Sequence, residues 1–125
     1  MAFTDTLATD AGPLFDAILD HPMVAGLGDG TLDEEPFRRW VRQDYVYLVD
    51  YSRVCAHGAA RAPDLARMRT FAELLSETLE TEMDLHRAYA AEFGITEAEL
   101  AATAPSPTTR GYTDFLVRVA ATETF

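Results

Sequence analysis

A chain of 125 residues with 48% hydrophobic and 25% charged side chains reads as one globular domain, residues 1–125, burying about two-thirds of the surface its unfolded form exposes. Its net charge of -11 sets 21 acidic residues against 10 basic ones, all arginine, and so negative a surface repels phosphate backbones and argues against a nucleic-acid partner. No apolar run approaches the roughly 18 residues that span a bilayer, and Met1 to Asp5 carries no basic cluster before an apolar stretch, so neither membrane nor secretory signal is expected and the compartment reads as cytoplasmic.

The first predicted helix covers Asp10 to Asp20, where Leu14, Phe15, Ile18 and Leu19 recur at helical spacing. His21-Pro22 should end it. Gly26-Leu27-Gly28-Asp29-Gly30 then reads as a turn, because no strand precedes it and its spacing fits neither the dinucleotide-binding nor the P-loop pattern. Asp33 is placed to cap a second helix whose first turn, with Glu34 and Glu35, suits the positive end of the dipole. That helix should run to about Ala60, before Ala62-Pro63. Asp64 to Phe93 makes a third long helix, stopped by Gly94. Thr96-Glu97-Ala98-Glu99 spells a capping box for a short one. Thr103 to Thr108 reads as loop, and a last helix begins near Thr109 with Tyr112, Phe115, Leu116 and Val119 on its inner face. No segment alternates with period two, so the fold class is all-α. The sequence from Thr122 to Phe125 has no glycine, proline or basic last turn, and a longer relative is expected to continue past it.

One charge stands out. At about 100° per residue, the second helix gathers Phe37, Trp40, Val41, Tyr47, Leu48, Tyr51 and Cys55 on one arc with Asp44 near its centre, while Arg42, Val46, Asp50 and Arg53 lie opposite. A carboxylate there is costly unless hydrogen-bonded, and Tyr47 and Tyr51 share its stripe. Either the acid is simply satisfied by the two phenols or the three line a pocket. The third helix repeats the anomaly: Glu82 falls on the arc of Phe71, Leu74, Leu75, Thr78, Leu85 and Tyr89, while Glu73, Glu77, Glu80 and Asp84 point away.

His86 sits one turn beyond Glu82, which raises a metal reading. A di-iron bundle needs Glu-x-x-His on two helices plus two further glutamates. The spacing here is one residue too long and has no second copy, so no metal ligands are assigned and Glu82 is expected to hydrogen-bond a neighbouring helix. The single cysteine excludes an internal disulfide. Lying about 16 Å along the axis from Asp44, Cys55 reads as a small buried residue rather than a nucleophile. His57 and His21 have no visible catalytic partner. The acidic surface would stay soluble in concentrated salt, where repulsion is screened, and a halophilic source is the corresponding expectation.

His21-Pro22-Met23-Val24, Gly28-Asp29-Gly30-Thr31-Leu32, Gln43-Asp44-Tyr45-Val46-Tyr47-Leu48-Val49-Asp50-Tyr51 and Ala60-Arg61-Ala62-Pro63-Asp64 follow one another in an order that is familiar. So do Glu80-Thr81-Glu82-Met83 with Leu85-His86, and Pro105 to Arg118 with Thr108-Thr109 and Tyr112-Thr113. Together, from about Leu19 to Phe125, they resemble the amino-terminal half of the TenA (thiaminase II) family. The resemblance implies a haem-oxygenase-like helical bundle, ending here before its last helices, that forms a homotetramer and works without metal or organic cofactor. It implies hydrolysis of aminopyrimidines: aminomethylpyrimidine loses its amine, or thiamine is split, giving hydroxymethylpyrimidine for salvage.

The same resemblance implies that Asp44 hydrogen-bonds the aminopyrimidine and that Tyr47 supports the nucleophile, which makes these two the catalytic candidates. Tyr112 is implied in the pocket wall. With Tyr51 added from the helical stripe and Glu82 from its inward placement, the expected substrate-binding set is Asp44, Tyr47, Tyr51, Tyr112 and Glu82. A flat ring with a donor–acceptor edge wants such aromatic walls and a carboxylate in dry surroundings. The family's catalytic cysteine and acidic proton donor lie in later helices, and Cys55 does not match the cysteine's place. These 125 residues alone are therefore expected to form a half-site without hydrolysis. Two other readings stand beside this one: a non-catalytic module that oligomerises through its apolar faces, and a di-iron oxidase on the same scaffold.

Overall fold

Proline governs where several helices begin. In a computed structural model, which describes residues 2–125, Pro13, Pro22 and Pro107 each stand in the first turn of a helix, where the missing N–H breaks no bond and the fixed φ is already helical. Among the described residues there is no strand. They form two compact units, one up to Phe37 and one from Arg38 to Phe125.

The first unit holds α1 (Phe3–Asp10), α2 (Gly12–Leu19) and α3 (Pro22–Asp29). The helix expected over Asp10 to Asp20 is thus α2 alone, broken from an unforeseen α1 at Ala11. Pro22 does not merely stop a helix; it starts α3, with the Nδ1 of His21 accepting the Met23 N–H at 3.1 Å. The glycine segment expected as a turn is helical through Asp29, and only Gly30, at φ 77°, leaves the helix. Gly26 is buried because Leu32 folds back to within 3.1 Å of where its Cβ would stand.

The long α4 (Glu34–Arg61), most of it in the second unit, keeps the span expected from Asp33 and Ala62-Pro63. Its buried residues, Val41, Leu48, Ser52, Cys55 and Gly58, lie on one face. Asp64 caps α5 (Leu65–Glu77) by accepting the Arg67 N–H at 2.8 Å. Gly58 lets α5 approach: a Cβ there would lie 2.4 Å from the ring of Phe71, which in turn meets Phe125 edge-on at 5.7 Å. The Arg61 guanidinium ties α4 to α8 (Pro107–Thr122) by donating to the Ala120 carbonyl at 2.8 Å.

The third helix is not continuous α-helix. A π-helical turn, Thr78–Glu82, separates α5 from α6 (Met83–Glu92). Its wider winding places Met83, five residues after Thr78, on the buried side with it, and Ala90 follows. The inward placement expected for Glu82 is overturned for that reason: Glu82 is exposed, as are Leu85 and Tyr89, while His86 is drawn inward.

α6 closes as expected at Gly94, φ 71°, where the Gly94 and Ile95 N–H groups bond back to the carbonyls of Ala91 and Ala90. Thr96 and Glu99 form the expected capping box of α7 (Glu97–Ala102). Ser106 caps α8, so this helix begins two residues before the expected start. Its buried residue is Thr113, whereas Tyr112 and Phe115, expected inside, are each 54% exposed. No helix of the described residues is long and apolar enough to cross a membrane.

Gly58→Ala gains about 1 kcal/mol of helix propensity but loses about 1–3 kcal/mol to overpacking against Phe71. A net loss of up to about 2 kcal/mol is expected in urea unfolding. Gly28→Ala, with open space at its Cβ, is expected to gain about 0.5–1 kcal/mol in the same measurement.

Candidate functional site

Asp44 and Val41 are three residues apart on α4 and so share a face. His86 reaches both from α6: its Nε2 lies 2.7 Å from the Val41 carbonyl oxygen, and its Nδ1 lies 3.5 Å from Oδ2 of Asp44. A carbonyl can only accept, so Nε2 carries the hydrogen. The Asp44 side chain is 26% exposed and that of His86 11%. Withdrawal from water raises the Asp44 carboxyl above its ordinary value of 3.8; the nearby imidazole pulls it back down and the like charge of Glu82 pushes it further up.

A ladder of phenols runs beside the acid. Tyr47 lies nearly parallel to Tyr112 of α8, 5° between planes and 5.8 Å between centroids, and stacks on Tyr51 at the same separation with a 23° tilt. Burial, then the neighbouring phenols, raises the Tyr47 hydroxyl. For Tyr51 burial leads, followed by Cys55. Cys55 is buried and its thiol is raised chiefly by that burial, which keeps it from being a thiolate.

Two open hollows meet at Trp40 and Asp44. One, of about 560 Å³, is walled by Leu48, Glu82, Leu85, His86 and Tyr89; the other, of about 350 Å³, by Gln43, Tyr47, Thr108, Thr109 and Tyr112. Both fall in the size range of small-molecule sites. The structure therefore brings Asp44, Tyr47 and Tyr112 together as the sequence led one to expect. Tyr51 lines neither hollow and backs Tyr47 instead. Glu82 lines the larger hollow with Asp44 and Tyr89, not the smaller one with Tyr47 and Tyr112. Among the described residues, no group of three or more His, Cys, Asp or Glu side chains is placed to hold a metal ion.

Sequence reasoning missed two residues that shape the site. The sequence around His86 suggests only a metal ligand. Gln43 was not considered, yet its amide donates to the Ala104 carbonyl at 3.0 Å and accepts the Ser106 N–H at 2.8 Å. That clamp holds the loop before α8, and with it Thr108, Thr109 and Tyr112, against α4. Glutamine's place directly before Asp44 was visible, but no local signal pairs it with a loop some sixty residues on.

The fold and site together define an all-helical protein that sets one acid between a histidine and stacked tyrosines, beside two hollows. The chain belongs to the TENA/THI-4/PQQC family, whose sequence profile matches residues 9–125. It is 46% identical over 120 residues to an aminopyrimidine aminohydrolase of Halalkalibacterium halodurans, a match covering 96% of this chain and 54% of that protein. It is 38% identical over 118 residues to an aminopyrimidine aminohydrolase of Bacillus subtilis, covering 94% and 50%. A thiamine biosynthesis multifunctional protein of Corynebacterium efficiens is 41% identical over 115 residues, 92% of this chain and 15% of that one.

Among solved structures, a TenA homologue from P. horikoshii OT3 superposes with a TM-score of 0.95 at 28% identity, over 99% of this chain and 58% of that one. A TenA family transcription regulator from Silicibacter sp. TM1040 gives 0.92 at 27%, over 97% and 54%. The fold is thus the haem-oxygenase-like bundle of the TenA homologues. The chain spans about half the length of the aminohydrolases it matches.

Because folding raises the Asp44 carboxyl, the folded state holds that proton more tightly than the unfolded chain, and the resulting stability is full below about pH 4 and lost as pH rises through the raised value. Asparagine does not titrate. Asp44→Asn is therefore expected to gain stability relative to the parent between pH 4 and pH 8, measured as the difference in urea midpoints. Gln43→Ala removes both bonds of the clamp and is expected to cost about 1–2 kcal/mol in the same assay at any pH in that range.

Proposed function

We propose that the chain serves the hydrolysis of aminopyrimidines in thiamine salvage, residues 38–125 supplying the wall that recognises the ring. The observation that carries this reading is the half-buried Asp44 carboxyl at the junction of two hollows, beside the parallel rings of Tyr47 and Tyr112. The names of the aminohydrolases and of the thiamine biosynthesis protein to which the chain is similar support it.

The chemistry is direct. A 4-aminopyrimidine presents an exocyclic N–H to a carboxylate, a charge-assisted bond that gains strength where water is scarce. Its flat face wants an aromatic neighbour. A ring inserted between two others needs about 7 Å, two contacts of about 3.5 Å each, and the 5.8 Å between Tyr47 and Tyr112 is too little. The pyrimidine therefore lies against the phenol ladder from the hollow, not within it. Asp44 binds its edge, Tyr47 supports the attacking group, Tyr112 forms the wall and Tyr51 stiffens Tyr47 from behind. Glu82, in the larger hollow with Asp44, meets a cationic substituent such as the aminomethyl group of aminomethylpyrimidine. No cofactor takes part in this scheme.

Cys55 is not the nucleophile: its thiol is buried and raised, and it lies well along α4 from Asp44. The exposed side chains of Leu65, Leu79, Leu85 and Phe115 support a homo-oligomer as the working state.

Trp40, the one tryptophan, lines both hollows and reports occupancy by fluorescence. Aminomethylpyrimidine is expected to change its emission saturably, and Asp44→Asn to weaken binding roughly 10- to 100-fold, as loss of a charge-assisted bond of about 1.5–3 kcal/mol requires. Emission that does not respond up to millimolar ligand would defeat the proposal.

A further inference from the structure

We propose that His86 is the positioning residue of this site: anchored on the Val41 carbonyl, it sets the Asp44 carboxyl toward the hollows, so that an aminopyrimidine meets an acid already held in place by an imidazole. The ligand half of this inference rests on the proposed function; the pair itself does not.

The geometry leaves the imidazole little freedom. Its Nε2 faces the carbonyl of Val41, a residue with no exposed surface, at 2.7 Å. Turning the ring over would lose this donor and leave a lone pair or a C–H against the carbonyl. With Nε2–H thus committed, Nδ1 is the atom presented to Oδ2 of Asp44 at 3.5 Å. A bare Nδ1 opposite a bare carboxylate would set lone pair against lone pair. A hydrogen on either group removes the conflict, and the imidazole at this distance pulls the Asp44 carboxyl down against the effect of burial.

Other groups bear on the pair from each side. Glu82, at the end of the π turn, shares the larger hollow with both. The ring of Tyr45 on α4 lies 6.1 Å from the imidazole, tilted by 41°. Tyr47 and, from α6, Tyr89 border the hollows. The charge of Arg87 is turned to Asp84, 2.6 Å away. Two carboxyls, Asp44 and Glu82, therefore share the larger hollow with one imidazole.

A cross-link between α6 and α4 would be served by the Val41 bond alone. The approach of Nδ1 to Asp44 goes beyond that, and it does what recognition needs. It keeps the acid ionised although burial opposes charge, and it stops the carboxyl from rotating toward bulk water, so that less order is lost when ligand arrives.

The test uses the protein with its aspartates labelled with 13C at the side-chain carboxyl, and compares the parent with His86→Gln and Glu82→Gln. Glutamine at 86 can still donate to Val41 but carries no charge. His86→Gln is expected to move the Asp44 titration to higher pH and Glu82→Gln to move it to lower pH. Long-range 1H–15N spectra of the parent are expected to show the hydrogen of His86 on Nε2 at high pH. Aminomethylpyrimidine affinity, read from Trp40 at pH 7, should fall at least tenfold in His86→Gln with circular dichroism unchanged.

An Asp44 titration indifferent to His86→Gln in a folded protein, or the opposite tautomer in the parent, would overturn the inference. If His86→Gln fails to fold, the parent tautomer and the Glu82→Gln shift decide. A parent that binds no aminopyrimidine, yet whose carboxyl titration responds as stated, would sink the proposed function and leave the pair standing.

Discussion

A carboxyl group three-quarters withdrawn from water must be answered by its surroundings, and in this protein the answer comes from a loop of contacts that starts and ends on one helix. α4 presents Asp44; the same helix, one turn earlier, offers the Val41 carbonyl that seats His86; and His86 closes the circuit by facing the acid. The spacing of three residues is what makes the circuit possible, since it sets the acid and the carbonyl on the same side of the helix. Burial and charge compensation are thus solved together, and α6 is held beside α4 as a by-product.

The neighbouring position does the same for the other flank. Gln43 spends both ends of its amide on the backbone before α8, which brings Thr108, Thr109 and Tyr112 to the second hollow. Two adjacent residues of α4 therefore border the two hollows that share Trp40. A glutamate at 43 would lose the donor and a lysine the acceptor, so the amide is the group that suits both partners.

The long helices and the inward acid were readable from periodicity, because α4 buries a single face over its whole length and is bounded by strong signals. The central trio of Asp44, Tyr47 and Tyr112 came together in space, the first two from spacing and the third from resemblance. What escaped had physical causes. Pro22 reads as a helix stop and Pro107 as part of a loop, although proline is equally at home in a helix's first turn. Gly26 and Gly28 looked like a turn, since sequence alone does not display the close packing of Leu32 on Gly26. Glu82 was assigned a face on the assumption of uninterrupted α-helix. Tyr112 and Phe115 were expected inside because they are apolar, whereas Thr113 is the residue of α8 that is buried. Gln43 and His86 act through long-range partners that no local pattern reveals.

The π turn at Thr78–Glu82 carries a consequence for how such a chain can vary. Deleting one residue there would allow ordinary α-helix to run through, and everything downstream would swing by about 100° about the axis. His86 would leave Asp44, and Met83 and Ala90 would surrender their places in the core. The number of residues in this short stretch is therefore under tighter constraint than their chemical nature: side chains at 79, 80 and 81, all exposed, are free to drift, while the count between Thr78 and Met83 is not.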